Sequence, residues 1–334
     1  MVNIKIALIG ANKSKFSKVY TCSVLEKLRK YGELSELIDR SNIAEHREFL
    51  KGCEYAFATW GMVDFTEEEI KEYMPDLKAL FYSAGTVQYF AKPFLNCGVR
   101  IFSAFAANGV PVAEYTVSQI VLALKGYFQG SKRYKSFLPY SFVHTQNCIG
   151  AYGAKVGLVG LGAIGSEVAQ RLKEYDVEVM AYDPFISEEK AGKLNVRLCS
   201  LETVFKECDV ISNHLANKKE LKNLFGSELF SLMKKHSTFI NTGRGDQVNE
   251  FALAKSLWLH PSRTAVTDVL KNEVFPYASP LFWCPNAIIT PHIAGSLGSE
   301  TERMADYMIE QLENCISGHP VKYEITKEML ATMA

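Results

Sequence analysis

Closely spaced cysteine pairs are missing from this sequence. Its 8 cysteines, Cys22, Cys53, Cys97, Cys148, Cys199, Cys208, Cys284 and Cys315, contain no C-x-x-C, so a zinc site has no ligand spacing to start from and no metal is expected. They read as packing residues kept as thiols in a reducing compartment. Net charge is missing too. The 37 Lys and Arg balance the 37 Asp and Glu, which excludes an overall field that would draw the chain to nucleic acid or anionic lipid. Purely apolar runs are short, as at Ile120–Leu124, and none nears the roughly 20 residues of a membrane-spanning helix. The opening residues, MVNIKIALIG, lack the charged start and small-residue cleavage site of a signal peptide, so a soluble, cytoplasmic protein is expected. With only 22 Gly and 11 Pro in 334 residues, and 48% hydrophobic residues, fibrous and disordered classes are excluded. The length suits about two domains.

What is present is alternation. Ile4 to Ile9, Tyr55 to Thr59 and Leu77 to Tyr82 read as strands, and Thr66 to Tyr73, with acids in its first turn, reads as a helix between two of them. From Lys155 the rhythm restarts, with strands expected at Val156–Gly160, Glu178–Tyr182, Asp209–Leu215, Ser237–Asn241, Ala265–Val269 and Ala287–Thr290. Repeated βαβ units imply two doubly wound parallel sheets, whose ligand crevices lie at the carboxyl ends of the strands. Between the two series, Pro111 to Gln129 reads as a helix with Pro in its first turn. Val112, Tyr115, Val117, Ile120, Val121, Leu124, Tyr127 and Phe128 leave it little polar face. Ser131 to Gly150 has no clean period and reads as an arm. Helix 111–129 and arm 131–150 together predict a homodimer. The last helix, about Glu300 to Ser317, carries Met304, Met308, Leu312 and Ile316 at helical spacing and is expected to return to the first domain.

Chemistry begins at KVGLVGLGAIGSEVAQRLKEYDVEVMAYD. Gly160-Leu161-Gly162-Ala163-Ile164-Gly165 stands between an apolar strand and a helix, and a second strand ends in Asp183, 18 residues after the last glycine. Gly160 permits the tight turn, Gly162 lets a diphosphate approach the backbone, and Gly165 lets helix pack on strand. The helix N-terminus offers free N–H groups to the phosphates. A carboxylate at 183 can accept from both ribose hydroxyls and repels a 2′-phosphate, while Pro184 and Phe185 supply no cation, so NAD is favoured over NADP. Three further segments, Ile240-Asn241-Thr242-Gly243-Arg244-Gly245, Thr267 to Glu273 and Thr290-Pro291-His292-Ile293-Ala294-Gly295, each follow a predicted strand of the same sheet. An Arg, a Glu and a His at successive strand ends can converge on a nicotinamide, where anion binding, proton transfer and an orienting carboxylate are needed. Trp60, after a strand of the first domain, is a candidate wall of the substrate pocket, and His214 a structural or cofactor-edge residue.

In this order, the glycine motif, N-T-G-R-G, D-V-x-x-x-E and T-P-H-I-A-G resemble the D-isomer-specific 2-hydroxyacid dehydrogenase family over nearly the whole chain. Ala113-Glu114 is similar to that family's linker helix, and Ser83-Ala84-Gly85-Thr86-Val87 to its substrate-carboxylate loop. The resemblance implies a flavodoxin-like substrate-binding domain, residues 1–108 and 297–334, a Rossmann NAD-binding domain, residues 109–296, and a cleft between them. By the same resemblance, Arg244 binds a small 2-oxo acid, His292 donates the proton, Glu273 polarises His292 and Asp268 meets the nicotinamide amide. Gly160, Gly162, Ala163, Ile164, Gly165, Asp183, Thr242 and Asp268 would hold NAD; Gly85, Thr86, Val87, Arg244 and Trp60 would hold the substrate. Two departures stand out: His214-Leu215 is followed by Ala216 where the family has Pro, and Gly243 stands where Ala or Ser is usual. With nothing appended after residue 334, a feedback-regulated phosphoglycerate enzyme is the less expected member. A second expectation comes from another class: a nucleotide-sensing interaction protein, similar to the C-terminal binding protein corepressors, which retain an Arg, a Glu and a His.

Overall fold

The computed structural model describes residues 4–135 and 149–330. They divide into two compact units, the first within Met1–Asn108 and Ser296–Ala334, the second within Gly109–Gly295. The strands are β1 (Lys5–Ile9), β2 (Glu33–Ile38), β3 (Cys53–Ala58), β4 (Ala79–Tyr82) and β5 (Arg100–Ser103), then β6 (Ala154–Val159), β7 (Val177–Tyr182), β8 (Val196–Leu198) and β9 (Val210–Asn213). After these come β10 (Thr238–Asn241), β11 (Thr264–Thr267), β12 (Ala287–Ile289) and β13 (Glu324–Ile325).

The first unit holds a sheet ordered β13-β5-β4-β3-β1-β2, parallel except that β13 runs antiparallel to β5. On one face the helix Glu300–Ser317 lays Met304, Met308 and Leu312 against a row of rings, Phe57 on Phe81 and Phe81 on Phe102, with centroids 4.9 and 5.0 Å apart. Ile316, expected on the same stripe, is instead 40% exposed; it sits in the last turn before the left-handed Gly318 cap. On the other face Ile70, Phe90 and Phe94 close the core. The helix expected at 66–73 forms because Thr66 accepts the Glu69 N–H while the Glu69 carboxylate accepts the Thr66 N–H.

The second unit holds a fully parallel sheet ordered β12-β11-β10-β9-β6-β7-β8. Its central strands are covered on both sides, which is why β6 reads as a continuous apolar run rather than an alternating one. The strand order reverses between β6 and β9, and that is where a doubly wound sheet opens a crevice for a ligand.

The helix expected from Pro111 to Gln129 has different bounds, Phe105–Leu124. Pro111 lies in its interior, where it has no N–H for the carbonyl four residues earlier and its ring crowds that oxygen, a cost the packing of the helix must offset. Gly126, with φ 65°, then breaks the chain into a separate helix, Tyr127–Tyr134. The apolar side of the long helix is not left open, because Ala113, Val117, Ile120, Ala123 and Leu124 pack with Val156 and Leu158 of β6. Glu114 and Ser118 remain at the surface. The apolar side of this helix therefore needs no partner chain to cover it. Residues 136–148 of the expected arm lie outside the described residues. Among the described residues no helix is long and apolar enough to cross a membrane, and no group of His, Cys, Asp and Glu is arranged to hold a metal ion.

Candidate active site

The glycine motif folds as a tight turn from β6 into the helix Ala163–Leu172. Gly160 has φ 95°, and a Cβ there would lie 3.0 Å from the His214 carbonyl oxygen. A Cβ on Gly165 would fall 2.0 Å from the Gly160 oxygen, so helix and turn meet backbone to backbone. Gly162, the N-cap, differs: nothing lies within 4 Å of its would-be Cβ, and the turn is open on that side. The first N–H groups of the helix, from Ala163 and Ile164 onward, have no intrahelical acceptor and face this opening with the positive end of the helix dipole. Asp183 follows β7; its Oδ2 accepts the Leu161 N–H at 2.7 Å and its Oδ1 the Phe185 N–H at 2.8 Å. Each oxygen keeps a lone pair, so a ribose diol can still be bound. Open space at Gly162, free helix N–H groups and an acceptor pair at the end of β7 fit a dinucleotide.

One residue near this turn escapes a sequence reading, and a second, His214, is the one expected to be structural or at the cofactor edge. Lys218 sits 5.5 Å from the centre of the Phe185 ring, a cation brought in from the loop after β9. His214 has both ring nitrogens cut off from solvent and without a partner among the described residues, although other atoms of the residue reach the surface. Burial alone pushes this imidazole down to about 4, so it is neutral at ordinary pH.

At the carboxyl ends of β10, β11 and β12 the sheet presents Arg244, Glu273 and His292. Arg244 follows β10 in a loop pinned against the next one: a Cβ on Gly245 would lie 2.1 Å from the Leu270 carbonyl carbon, and the Lys271 N–H donates to the buried Glu250 carboxylate at 2.8 Å. The Arg244 guanidinium donates Nη1–H to the Gly243 carbonyl at 2.8 Å. Burial holds its pKa below the usual arginine range, and the Glu273 carboxylate partly offsets this. Glu273 faces His292, with Nδ1 to Oε2 2.9 Å and Nδ1 to Oε1 3.1 Å.

His292 adopts φ 55°, a left-handed conformation unusual outside glycine. Asp268, only 2% exposed, holds it there. The Asp268 carbonyl accepts the His292 N–H at 3.0 Å, and its carboxylate accepts the Thr290 hydroxyl at 2.6 Å, the Ile293 N–H at 2.9 Å and the Ala294 N–H at 2.8 Å. Because Thr290 spends its hydrogen on Asp268, the Tyr115 hydroxyl, 3.0 Å away, donates to Thr290. Thr242 pairs with Thr116, the two hydroxyl oxygens 3.4 Å apart.

Gly85, Thr86 and Val87 belong to the first unit, where they follow β4. The Ser103 hydroxyl reaches the Ala84 and Gly85 carbonyls at 2.9 and 2.7 Å, and Thr59 donates to the Ser83 carbonyl at 2.7 Å, so the loop is held by its oxygens. Two further residues, invisible as isolated letters, stand in this unit. Asn108 accepts the Ser296 N–H at 3.3 Å, and its Nδ2 would lie 3.9 Å from a Cβ on Gly85. The buried Ser296 hydroxyl has no partner among the described residues. Trp60 is half-buried and packs on both cores of the first unit.

Residues 123–294, just over half of the chain, match the family described as D-isomer specific 2-hydroxyacid dehydrogenase, NAD binding domain. The chain belongs to the D-isomer-specific 2-hydroxyacid dehydrogenase family. NAD is the cofactor of this family's matched domain. A D-3-phosphoglycerate dehydrogenase of Bacillus subtilis is 32% identical over 226 residues, 67% of this chain and 42% of that protein. The chain thus spans about two fifths of the curated phosphoglycerate dehydrogenases it matches. A glyoxylate reductase of Thermofilum pendens is 28% identical over 277 residues, 80% of each chain. Among solved structures, the NAD complex of a D-isomer specific 2-hydroxyacid dehydrogenase from Lactobacillus delbrueckii ssp. bulgaricus superposes with TM-score 0.77 at 21% identity, covering 96% of this chain and all of that one. A D-lactate dehydrogenase with NAD+ from Lactobacillus jensenii gives 0.74 at 22% identity, covering 97% of this chain. At these identities the likeness is one of fold: two parallel-sheet α/β domains, one of them the Rossmann domain.

Proposed function

We propose that this 2-hydroxyacid dehydrogenase family member interconverts a small 2-oxo acid and its D-2-hydroxy acid with NAD as the redox partner. The observation that carries the reading is the His292–Glu273 contact, within the electrostatic reach of a half-buried Arg244, at the strand ends of a dinucleotide-binding sheet. NADH, when held at the glycine turn, would supply the hydride that the carbonyl carbon accepts. Arg244 keeps guanidinium N–H groups beyond the one given to Gly243, and these bridge the substrate carboxylate and carbonyl; negative charge growing on the carbonyl oxygen meets a donor already in place. His292, its Nδ1 engaged by Glu273, presents Nε2 to that oxygen and delivers the proton; in the oxidative direction the neutral imidazole removes it. Asp268 serves chiefly to hold the His292 loop, with one acceptor position left on Oδ2 for a cofactor amide. The loop N–H groups of Gly85, Thr86 and Val87, with the Asn108 amide, take up the carboxylate, and Trp60 walls the acid's side chain.

The test is oxidation of NADH with a panel of 2-oxo acids, including glyoxylate, pyruvate and phosphohydroxypyruvate. Turnover of none, together with tight NADH binding, would instead favour the nucleotide-sensing interaction protein. We also propose a cytoplasmic homodimer. The exposed aromatic side chains Phe251, Trp258, Phe282 and Trp283 of the second unit support an association surface, and sedimentation at micromolar concentration tests it.

A further inference from the structure

The two departures from the family pattern, Gly243 and the Leu215-Ala216 turn, converge on one side chain. Asn213 and Asn241 end the neighbouring parallel strands β9 and β10 in register with each other, and with Gln247 they form a cluster of three amides, each no more than 1% exposed. Asn213 Nδ2 donates to Asn241 Oδ1 at 2.9 Å and to Gln247 Oε1 at 2.7 Å, while its Oδ1 accepts the Leu215 N–H at 3.1 Å. Gln247 passes its own Nε2 hydrogens to the Leu215 and Ala216 carbonyls, at 3.3 and 2.8 Å. These bonds hold the turn after β9 at the position where no proline is present to do so.

The other end of the cluster grips Arg244. Asn241 Oδ1 also accepts the Gly243 N–H at 3.1 Å, and Asn241 Nδ2 donates to the Arg244 carbonyl at 3.3 Å. Gly243, held in this way through its N–H, also carries the carbonyl that accepts from the Arg244 guanidinium. Gly243 has no side chain for a local reason: a Cβ there would lie 2.7 Å from Asn213 Nδ2 and 3.1 Å from Gln247 Oε1. The amide of Asn213 fills the space that a methyl group at 243 would need.

We propose that Asn213 is a positioning residue for Arg244, acting through Asn241, and that Gly243 and Asn213 form one interdependent pair. The proposal rests on the reading of Arg244 as the substrate anchor. In low dielectric a linked set of amides is strengthened by its own connectivity, and removing its central member leaves the buried Gln247 Oε1 without its Asn213 donor and Asn241 Oδ1 with the Gly243 N–H in place of two donors. The guanidinium then loses its fixed origin, while the glycine turn that would hold NAD keeps the hydrogen bonds that tie it to the β7 side, from the Gly160 N–H to the Tyr182 carbonyl and from the Leu161 N–H to Asp183.

The experiment is a double-mutant cycle on Asn213→Ala and Gly243→Ala, read with the best 2-oxo acid of the panel. Asn213→Ala should raise KM for the oxo acid at least tenfold while the NADH dissociation constant changes less than twofold; a merely structural role would move both or neither. Gly243→Ala should do the same when Asn213 is present, because its methyl meets the Asn213 amide. In the Asn213→Ala background the methyl enters vacated space, so the second change should alter KM less than twofold. Multiplicative effects of the two changes, or equal losses in oxo-acid and NADH affinity, would overturn the proposal. Hydrogen exchange supplies a readout independent of turnover. Amides of residues 241–247 should exchange faster in Asn213→Ala while those of 160–166 do not, and unchanged exchange at 241–247 would also overturn it. A wild type that reduces no 2-oxo acid but shows this exchange pattern would retire the substrate reading of Arg244 and leave the positioning by Asn213 standing.

Discussion

Replacing His214 with phenylalanine should remove a specific part of the acid sensitivity of this fold. The ring nitrogens are cut off from solvent and have no partner among the described residues, so the protonated form is disfavoured in the folded state, and the pKa falls from about 6.5 to about 4. For such a depressed base the unfolded chain takes up the proton first. The stability His214 allows is fully present above pH ~6.5 and is lost progressively as pH falls toward about 4. Integrating between those two values, the fall from about pH 7 to about pH 5 costs about 2 kcal/mol, and the full drop approaches about 3 kcal/mol. Urea unfolding of the cofactor-free protein at both pH values gives the comparison. Wild type should lose about 2 kcal/mol more than His214→Phe, with all other titrating groups cancelling between them. The variant should be no less stable at neutral pH, since phenylalanine keeps the ring and discards two orphaned polar atoms. Equal losses in the two proteins would refute the argument and mean that His214 finds a partner or water when it is charged.

Three other outcomes are expected from the site. Asp183→Ala removes the acceptor pair at the end of β7 and leaves the Lys218 cation over Phe185, so NADH binding should weaken more than NADPH binding in fluorescence titrations; parallel changes would contradict the assignment. Arg244→Lys keeps the charge but not the planar fork, so kcat/KM for 2-oxo acids should drop at least about tenfold with NADH affinity intact. His292→Gln should lower kcat for reduction by two or more orders of magnitude, in the range ascribed to a positioned general acid, and stopped-flow hydride transfer should show the loss in the chemical step.

The central strands of the second unit were legible because they are buried on both faces and announce themselves as apolar runs, whereas the three-residue edge strand β8 offers no such run; Gly160 and Gly165 were legible because each answers a steric demand that a letter can encode. Gly165 is a glycine because a backbone oxygen occupies its Cβ position. The first unit was harder. β2, with the sequence ELSELI, is an edge strand with mostly accessible side chains and no apolar run, and β13 has two residues. Pro111 misled in the ordinary way, since proline marks helix starts more often than interiors. The Asn213, Asn241 and Gln247 cluster could not be foreseen, because amides separated by 28 and 34 residues carry no period, and only strand register brings them together. The same holds for Asn108 and Ser296, which are 188 residues apart.

His292 sits in a left-handed backbone conformation. At φ 55° a side chain crowds the carbonyl that follows it, a strain of about 1–2 kcal/mol that glycine alone escapes. The most comfortable residue for this loop is therefore one that cannot move a proton. Asp268, with three donors drawn onto a single buried carboxylate, compels the loop to accept the less comfortable one. On the proton-donor role proposed for His292, stability and turnover pull position 292 in opposite directions, and drift toward a sturdier protein at this site would end as an inert dinucleotide-binding shell.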